Sequence, residues 1–259
     1  MLNYTAIEKA LGNFKDAKPF DHCIVDGFFE EEVAQKLSNE FLDYDSEQWY
    51  HYENAIEDKK ALNNWNAFPK DTYLAFNEFY SDRLTKLLSK TVGLELMADY
   101  GLHGGGWHIH KTGGNLNPHL DYSIHPKLGK ERKLNIIVYL SQELKPAHGG
   151  HLGLWYEDES KKQPGKLASE VEPKFNRAVI FDTTQNSWHG MSRALTQPDG
   201  IYRKSLAVYY LCEPDAKASR RGRALFAPRE EQKKDSDVAE LIKKRSSVCS
   251  SAQVYKIKK

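Results

Sequence analysis

With 259 residues, 40% of them hydrophobic, and Lys plus Arg (37) nearly balancing Asp plus Glu (36), the chain has the composition of an ordinary globular protein with room for a substantial core. Cys23, Cys212 and Cys249 are odd in number and far apart, with no C-x-x-C pair. That excludes a disulfide framework or structural zinc site and points to a reducing, cytoplasmic setting. Charges interrupt every apolar run of the opening segment and no later run is long enough for a span, so neither a signal peptide nor a membrane helix is expected.

Taken in chain order, residues 1–98 read mostly as helices. "FEEEVAQKLSNEFLDY" (29–44) puts Val33, Leu37, Phe41 and Leu42 on one face, behind an acidic run suited to a helix N-terminus. "FPKDTYLAFNEFYSDRLTKLLSKTVG" (68–93) starts at Pro69, stops near Gly93 and repeats apolar residues at helical spacing. Between them, 46–68 is rich in aromatics and amides, as either a substrate-facing lid or aromatic packing between layers.

From about residue 100 short strands alternate with Gly, Pro and Asn. "GWHIHKTG" (106–113), "KLNIIVYLS" (133–141), "HLGLWYED" (151–158), "RAVIFDT" (177–183) and "RKSLAVYYLCEP" (203–214) are the strand candidates. In the second, Leu134, Ile136, Val138 and Leu140 share one face while Asn135, Ile137 and Tyr139 share the other. "DSDVAELIKKR" (235–245) returns to helix behind an Asp or Ser cap. The predicted fold class is therefore α+β, a small jelly roll backed by helices. Residues 1–98 are the helical support, 99–215 the core packed with it as one domain, and 216–259 a tail.

That tail is basic. From Lys217 on it carries thirteen Lys/Arg against five Asp/Glu, a charge of +8, leaving −7 upstream. Such asymmetry suits contact with nucleic acid or an acidic partner. The tail lacks the spaced aromatics of a single-strand binder, so a solvated, partly mobile tail is the expectation and nucleic acid is disfavoured.

The chemistry centres on "GGNLNPHLDYSIHP" (113–126). On a strand His119 and Asp121 point the same way and present an imidazole beside a carboxylate. The best third ligand is His189 in "NSWHGMSR" (186–193). Two histidines and one carboxylate on one face leave three open positions, the arrangement of non-haem Fe(II) oxygenases, and no thiolates are placed for structural zinc. A 2-oxo acid chelating the metal would leave one position for O2, and its far carboxylate would need a cation. Arg203, fourteen residues after His189, can grip it through two hydrogen bonds. Ser205 and Ala207 on the same face leave room, and Tyr139 can donate to the same carboxylate if its face is the inward one. Lys204 points the opposite way if Arg203 points in, and Arg193 is the alternative anchor.

These pieces, "HLD" (119–121), "IIVYLS" (136–141), "GGHLGLW" (149–155), "VEPKFNRAVIFDT" (171–183), "WHG" (188–190) and "RKSLAVYYL" (203–211), resemble in content and order the double-stranded β-helix core of the Fe(II)/2-oxoglutarate dioxygenases. The resemblance is in particular to the prolyl 4-hydroxylase branch, which includes the oxygen-sensing prolyl hydroxylases. The resemblance implies His119, Asp121 and His189 as iron ligands, with Arg203, Tyr139, His110 and Ser205 around the 2-oxoglutarate. His110 stands where the family often has a tyrosine, nine residues before the first ligand, and "ALTQPDG" (194–200) enlarges the turn before Arg203.

The implied activity is hydroxylation of a C–H bond, most naturally on a prolyl residue, consuming O2 and releasing succinate and CO2, with ascorbate a candidate reductant. The alternatives are a small-molecule hydroxylase (free amino acid, sugar or other metabolite) and a non-catalytic barrel acting as an adaptor through its basic tail. His103, His108, His125, His148 and His151 are expected to be structural or surface residues. "HGGH" (148–151) should be a tight turn, and Trp107, Trp155 and Trp188 barrel packing.

Overall fold

The computed structural model describes residues 1–248; Cys249 and the rest of the predicted tail lie outside the described residues. The N-terminal part comprises α1 (Tyr4–Leu11), β1 (His22–Asp26), α2 (Glu31–Asn39), a hairpin of β2 (Tyr50–Glu53) and β3 (Glu57–Leu62), α3 (Lys70–Phe79), α4 (Asp82–Val92) and β4 (Met97–Ala98). Next come β5 (Gly106–His110), β6 (Asn115–Leu116), β7 (His119–Leu120), β8 (Glu131–Tyr139), β9 (Leu152–Asp158), β10 (Gln163–Val171), β11 (Arg177–Asp182), β12 (Trp188–Met191) and β13 (Arg203–Cys212). The chain closes with β14 (Leu225–Phe226) and α5 (Ser236–Ser246).

Two sheets form the jelly roll. The larger runs β1-β11-β8-β13-β5-β3-β2, with β4 beside β13 and β6 beside β3; the smaller runs β10-β9-β12-β7-β14. Strand alternation divides the large sheet into two chemistries. Leu134, Ile136 and Val138 of β8, with Leu206, Val208 and Tyr210 of β13 and Trp107 and Ile109 of β5, pack with Ile7, Leu37, Phe76, Phe79, Leu84 and Leu88 of the helices. The opposite face, with Asn135 and Ile137 of β8, Arg203, Ser205, Ala207 and Tyr209 of β13, and His108 and His110 of β5, turns to an internal cavity. Tyr139, fully buried on that same alternation, stands directly across from Ser205.

Local contacts overturn two expectations. The helix expected over 29–44 ends at Asn39. The Glu40 carboxylate accepts from the Asp71 and Thr72 N–H groups and so caps α3, while Phe41 turns away to stack on Trp107 at 4.6 Å. The helix expected over 68–93 is two helices, because the Ser81 side chain accepts from Leu84 N–H and starts α4 afresh. Segment 46–68 bears out aromatic packing between layers, with Trp49, Trp65 and Phe68 packed against Trp107 and Phe76, and it also adds β2 and β3 to the large sheet, Ala61 standing opposite His108 of β5.

The tail expectation also changes. Residues 216–248 fold onto the body: β14 adds to the small sheet beside β7, and Phe226 packs with Ile56 of the β2–β3 turn and Val238 of α5. Apolar residues spaced along an otherwise basic segment supply that anchorage.

Candidate metal and cosubstrate site

Pairing of β7 with β12 sets His119 directly opposite His189, with ring centroids 4.3 Å apart. Asp121 follows β7, its Oδ1 3.8 Å from His119 Nε2 and its Oδ2 3.9 Å from His189 Nε2. One donor atom from each of the three lies within 4.8 Å of the others. All three side chains are buried.

The histidines are oriented by the same device. His119 Nδ1 lies 3.0 Å from the Asn117 carbonyl and His189 Nδ1 2.8 Å from the Ser187 carbonyl. A carbonyl oxygen can only accept, so each Nδ1 carries the proton and each Nε2 presents its lone pair to the centre. Burial, followed by the neighbouring His189, drives the His119 pKa down to about 3, so its imidazole is neutral and ready to ligate. Burial pushes the Asp121 carboxyl up, but His189, Arg132 and His119 outweigh it and the net pKa is below the ordinary value. Asp121 Oδ2 is buried and has no hydrogen-bond partner. Two imidazole lone pairs and an unsatisfied carboxylate oxygen converging on one point fit a divalent iron with open positions.

The register then gathers the expected cosubstrate residues. Arg203 pairs with His110, and Ser205 pairs with both His108 and Tyr139. These residues come together beside a cavity of about 350 Å³ that contains the histidine–aspartate cluster, and Arg203, His110 and Ser205 line it. Small side chains at Ala61, Ser205 and Ala207 leave its floor open.

Arg203 is buried, and its Nε donates to the Gly150 carbonyl at 2.8 Å while its guanidinium lies 4.8 Å from the Tyr139 ring centroid. Gly150, at φ +71°, has to be glycine: a Cβ there would meet Arg203 Cδ at 2.9 Å. The Tyr139 hydroxyl and both His110 ring nitrogens are buried without hydrogen-bond partners. Burial, then Arg203, pushes the His110 pKa well below its ordinary value, so it enters the site as a neutral imidazole. Lys204 points away, its Nζ donating to the Ser38 carbonyl, and Arg193 is spent on an exposed ion pair with Glu170.

Four contributors were not legible as such. Arg132 lies 3.6 Å from Asp121 Oδ1, its guanidinium sandwiched between the Tyr122 and Tyr209 rings at 3.4 and 3.3 Å. His108 and His103, expected to be structural or surface residues, line the cavity. For His108 the signal was present, since it shares the strand face of His110. Phe226 of the tail stacks on His119 at 5.0 Å. His125, expected not to be a ligand, stays outside the cluster, its Nδ1 accepting from the Lys127 and Leu128 N–H groups.

A model of the 2OG-Fe(II) oxygenase superfamily matches residues 105–237, just over half of the chain. A curated relative, prolyl 3-hydroxylase OGFOD1 of Xenopus laevis, is 25% identical over 202 residues, which is 75% of this chain but 35% of that protein, so the chain spans about a third of its length. A prolyl-4-hydroxylase from Pseudomonas putida shares the fold with TM-score 0.58 and 14% identity, covering 81% of this chain and all of that one. A Trichoplax adhaerens prolyl hydroxylase, solved with a peptide fragment of the hypoxia inducible factor oxygen degradation domain, gives TM-score 0.57 and 17% identity over 80% of this chain and 89% of that one.

Proposed function

We propose that this chain, which belongs to the 2OG-Fe(II) oxygenase superfamily and is a 2-oxoglutarate-dependent dioxygenase, hydroxylates a prolyl residue of a peptide or protein with release of succinate and CO2. The observation that carries this reading is the pair of buried histidines, each with Nδ1 tied to a carbonyl and Nε2 turned toward Asp121, in the same cavity as Arg203.

In this reading His119, Asp121 and His189 hold Fe(II), which supplies the activation of O2 against 2-oxoglutarate. The remaining work belongs to the protein. Arg203 grips the distal carboxylate of 2-oxoglutarate through its terminal nitrogens, and Tyr139 donates its hydroxyl to the same group. His110 and Ser205 flank the cosubstrate. Arg132 keeps the Asp121 carboxylate anionic and fixed, and Phe226 shields His119 from water. Residues 1–98 serve as support that lends β2 and β3 to the cavity wall, 99–215 as catalytic core and 216–248 as a cover, in a reducing cytoplasmic compartment with ascorbate as reductant. The relatives named as prolyl hydroxylases favour a prolyl substrate; the modest cavity, about 350 Å³, keeps a small metabolite as the second reading.

Succinate formation from 2-oxoglutarate by anaerobically prepared protein given Fe(II), ascorbate and air tests this. Turnover is expected to need iron, to vanish in Asp121→Ala, and in Arg203→Met to show a KM for 2-oxoglutarate raised about 100-fold. Wild type that binds no 2-oxoglutarate would sink the reading. A panel of proline-containing peptides, free amino acids and sugars separates the two substrate classes.

A further inference from the structure

Among the described residues, charge in the cavity does not balance. Its wall carries Lys59, Arg132, Arg203, Arg223 and Arg245 against Glu57 and Asp121. Most of these have partners. Arg245 is paired with Glu57 at 2.8 Å, Arg132 lies beside Asp121, and Arg203 is assigned above to the distal carboxylate of 2-oxoglutarate. Iron and its cosubstrate bring +2 and −2 and leave the excess unchanged.

Lys59 and Arg223 remain. Lys59 is on β3, two positions before Ala61 and so on the same strand face, one register step beyond the Lys60–Ile109 pair and thus across from His110. Its Nζ lies 5.2 Å from the Tyr52 ring centroid, and no carboxylate among the described residues forms an ion pair with it. Arg223 approaches from the opposite side, on the stretch just before β14, and its buried Nε has no hydrogen-bond partner among the described residues. Burial pulls the Lys59 ammonium below its ordinary pKa, the mark of a cation short of counter-charge. Part of the basic tail thus points its charge into the site.

Two cations on facing walls, neither ion-paired among the described residues, call for an anion. We propose that Lys59 and Arg223 form a carboxylate-binding subsite for the substrate, so that the molecule hydroxylated here bears an acidic group close to the reacting carbon. This rests on the dioxygenase reading above and adds the substrate's charge. The carboxylate has two sources, an acidic residue beside a proline or the carboxyl group of a free amino acid, and both offer the same chemistry to the pair.

The test uses protein loaded with 2-oxoglutarate and redox-inert Zn(II), with binding followed by calorimetry, and Fe(II) protein, with products followed by mass. The peptide probes are blocked proline-centred peptides carrying Glu, Gln or Lys at each flanking position in turn. L-Proline and L-prolinamide test the free-amino-acid source. One carboxylate probe is expected to bind at least tenfold more tightly than its amide counterpart and to gain one oxygen. That preference should disappear in Lys59→Met and Arg223→Met, persist in Lys59→Arg, and leave 2-oxoglutarate affinity within about threefold in all of them.

Equal binding of acid and amide in both probe sets would overturn the inference, as would failure of every carboxylate probe with wild type that still binds 2-oxoglutarate. If Lys59→Met weakened 2-oxoglutarate as much as any probe, the cations would serve the cosubstrate and the inference would fall. Wild type that binds no 2-oxoglutarate would remove the dioxygenase reading itself, a result distinct from the others.

Discussion

Cys23 and Cys212 are buried, and burial pushes their thiols up to about 12 and about 11. At pH 8 each should therefore be thiolate far less often than an ordinary cysteine, whose pKa is about 8.5. In a Cys249→Ser background, both thiols of the native protein should react with a disulfide reagent at least about 100-fold more slowly than a free thiol, and both should appear at once in guanidinium. A fast-reacting thiol in the folded variant would show that one of these side chains reaches water. The same distinction between chemistry and surroundings explains which site residues were legible. His119, Asp121 and His189 could be singled out because imidazole and carboxylate are ligand types and 119 and 121 share a strand face, and the fold does bring the three together. Arg132 could not be, because its role comes from being clamped between Tyr122 and Tyr209, which only the folded chain brings together.

Among the elements, β8, β9, β11 and β13 could be read directly because buried strands carry β-branched and aromatic runs. β10 could not: it is an edge strand with Pro164, Gly165 and Lys166, shifted in register against β9, and its sequence looks like a loop. The β2–β3 hairpin was missed for a different reason, since its residues face the cavity and carry charge where a core strand would be apolar. β5 shows how closely this wall is built. Gly106 has φ +93°, and a Cβ there would stand 2.1 Å from the Leu62 carbonyl oxygen of β3. Gly106→Ala should cost about 3 kcal/mol or more and part β3 from β5, because backbone cannot move aside as a flexible side chain can. Gly93→Ala, at the C-cap of α4 with φ +76° and open space around it, should cost only about 1 kcal/mol. Denaturant unfolding of the two variants measures the difference; equal losses would mean that strand contact at Gly106 relaxes freely.

At the scale of the whole molecule, one hydrophobic face of the large sheet holds the helices while the other encloses polar and titratable groups, and stability inherits a pH dependence from that second face. His22, His103, His108, His110 and His119 all have pKa values lowered from 6.5, with burial the largest cause in each, His103 reaching about 4 and His119 about 3. The folded state resists their protonation, whereas the unfolded chain takes up protons near pH 6.5. Their contribution is therefore complete above about pH 6.5 and is lost progressively as the pH falls toward the folded values. His119 alone should remove about 2 kcal/mol between pH 6.5 and 5, and the others act in the same direction. Lowered carboxyl groups such as Asp121 and Asp26 act only below about pH 4, where their unfolded counterparts begin to protonate, so the window from 6.5 to 5 isolates the histidines. Metal-free protein unfolded in denaturant at pH 7, 6 and 5 should lose stability at each step, and His119→Gln should flatten that slope by up to about 1.4 kcal/mol per pH unit. Metal-loaded protein should be more stable at each pH with the same slope from His119, because that imidazole is already free of protons in the folded metal-free state over this range. A metal-free curve that stays level from pH 7 to 5 would mean these imidazoles take up protons without unfolding, and the ligands would then not be held ready for a metal.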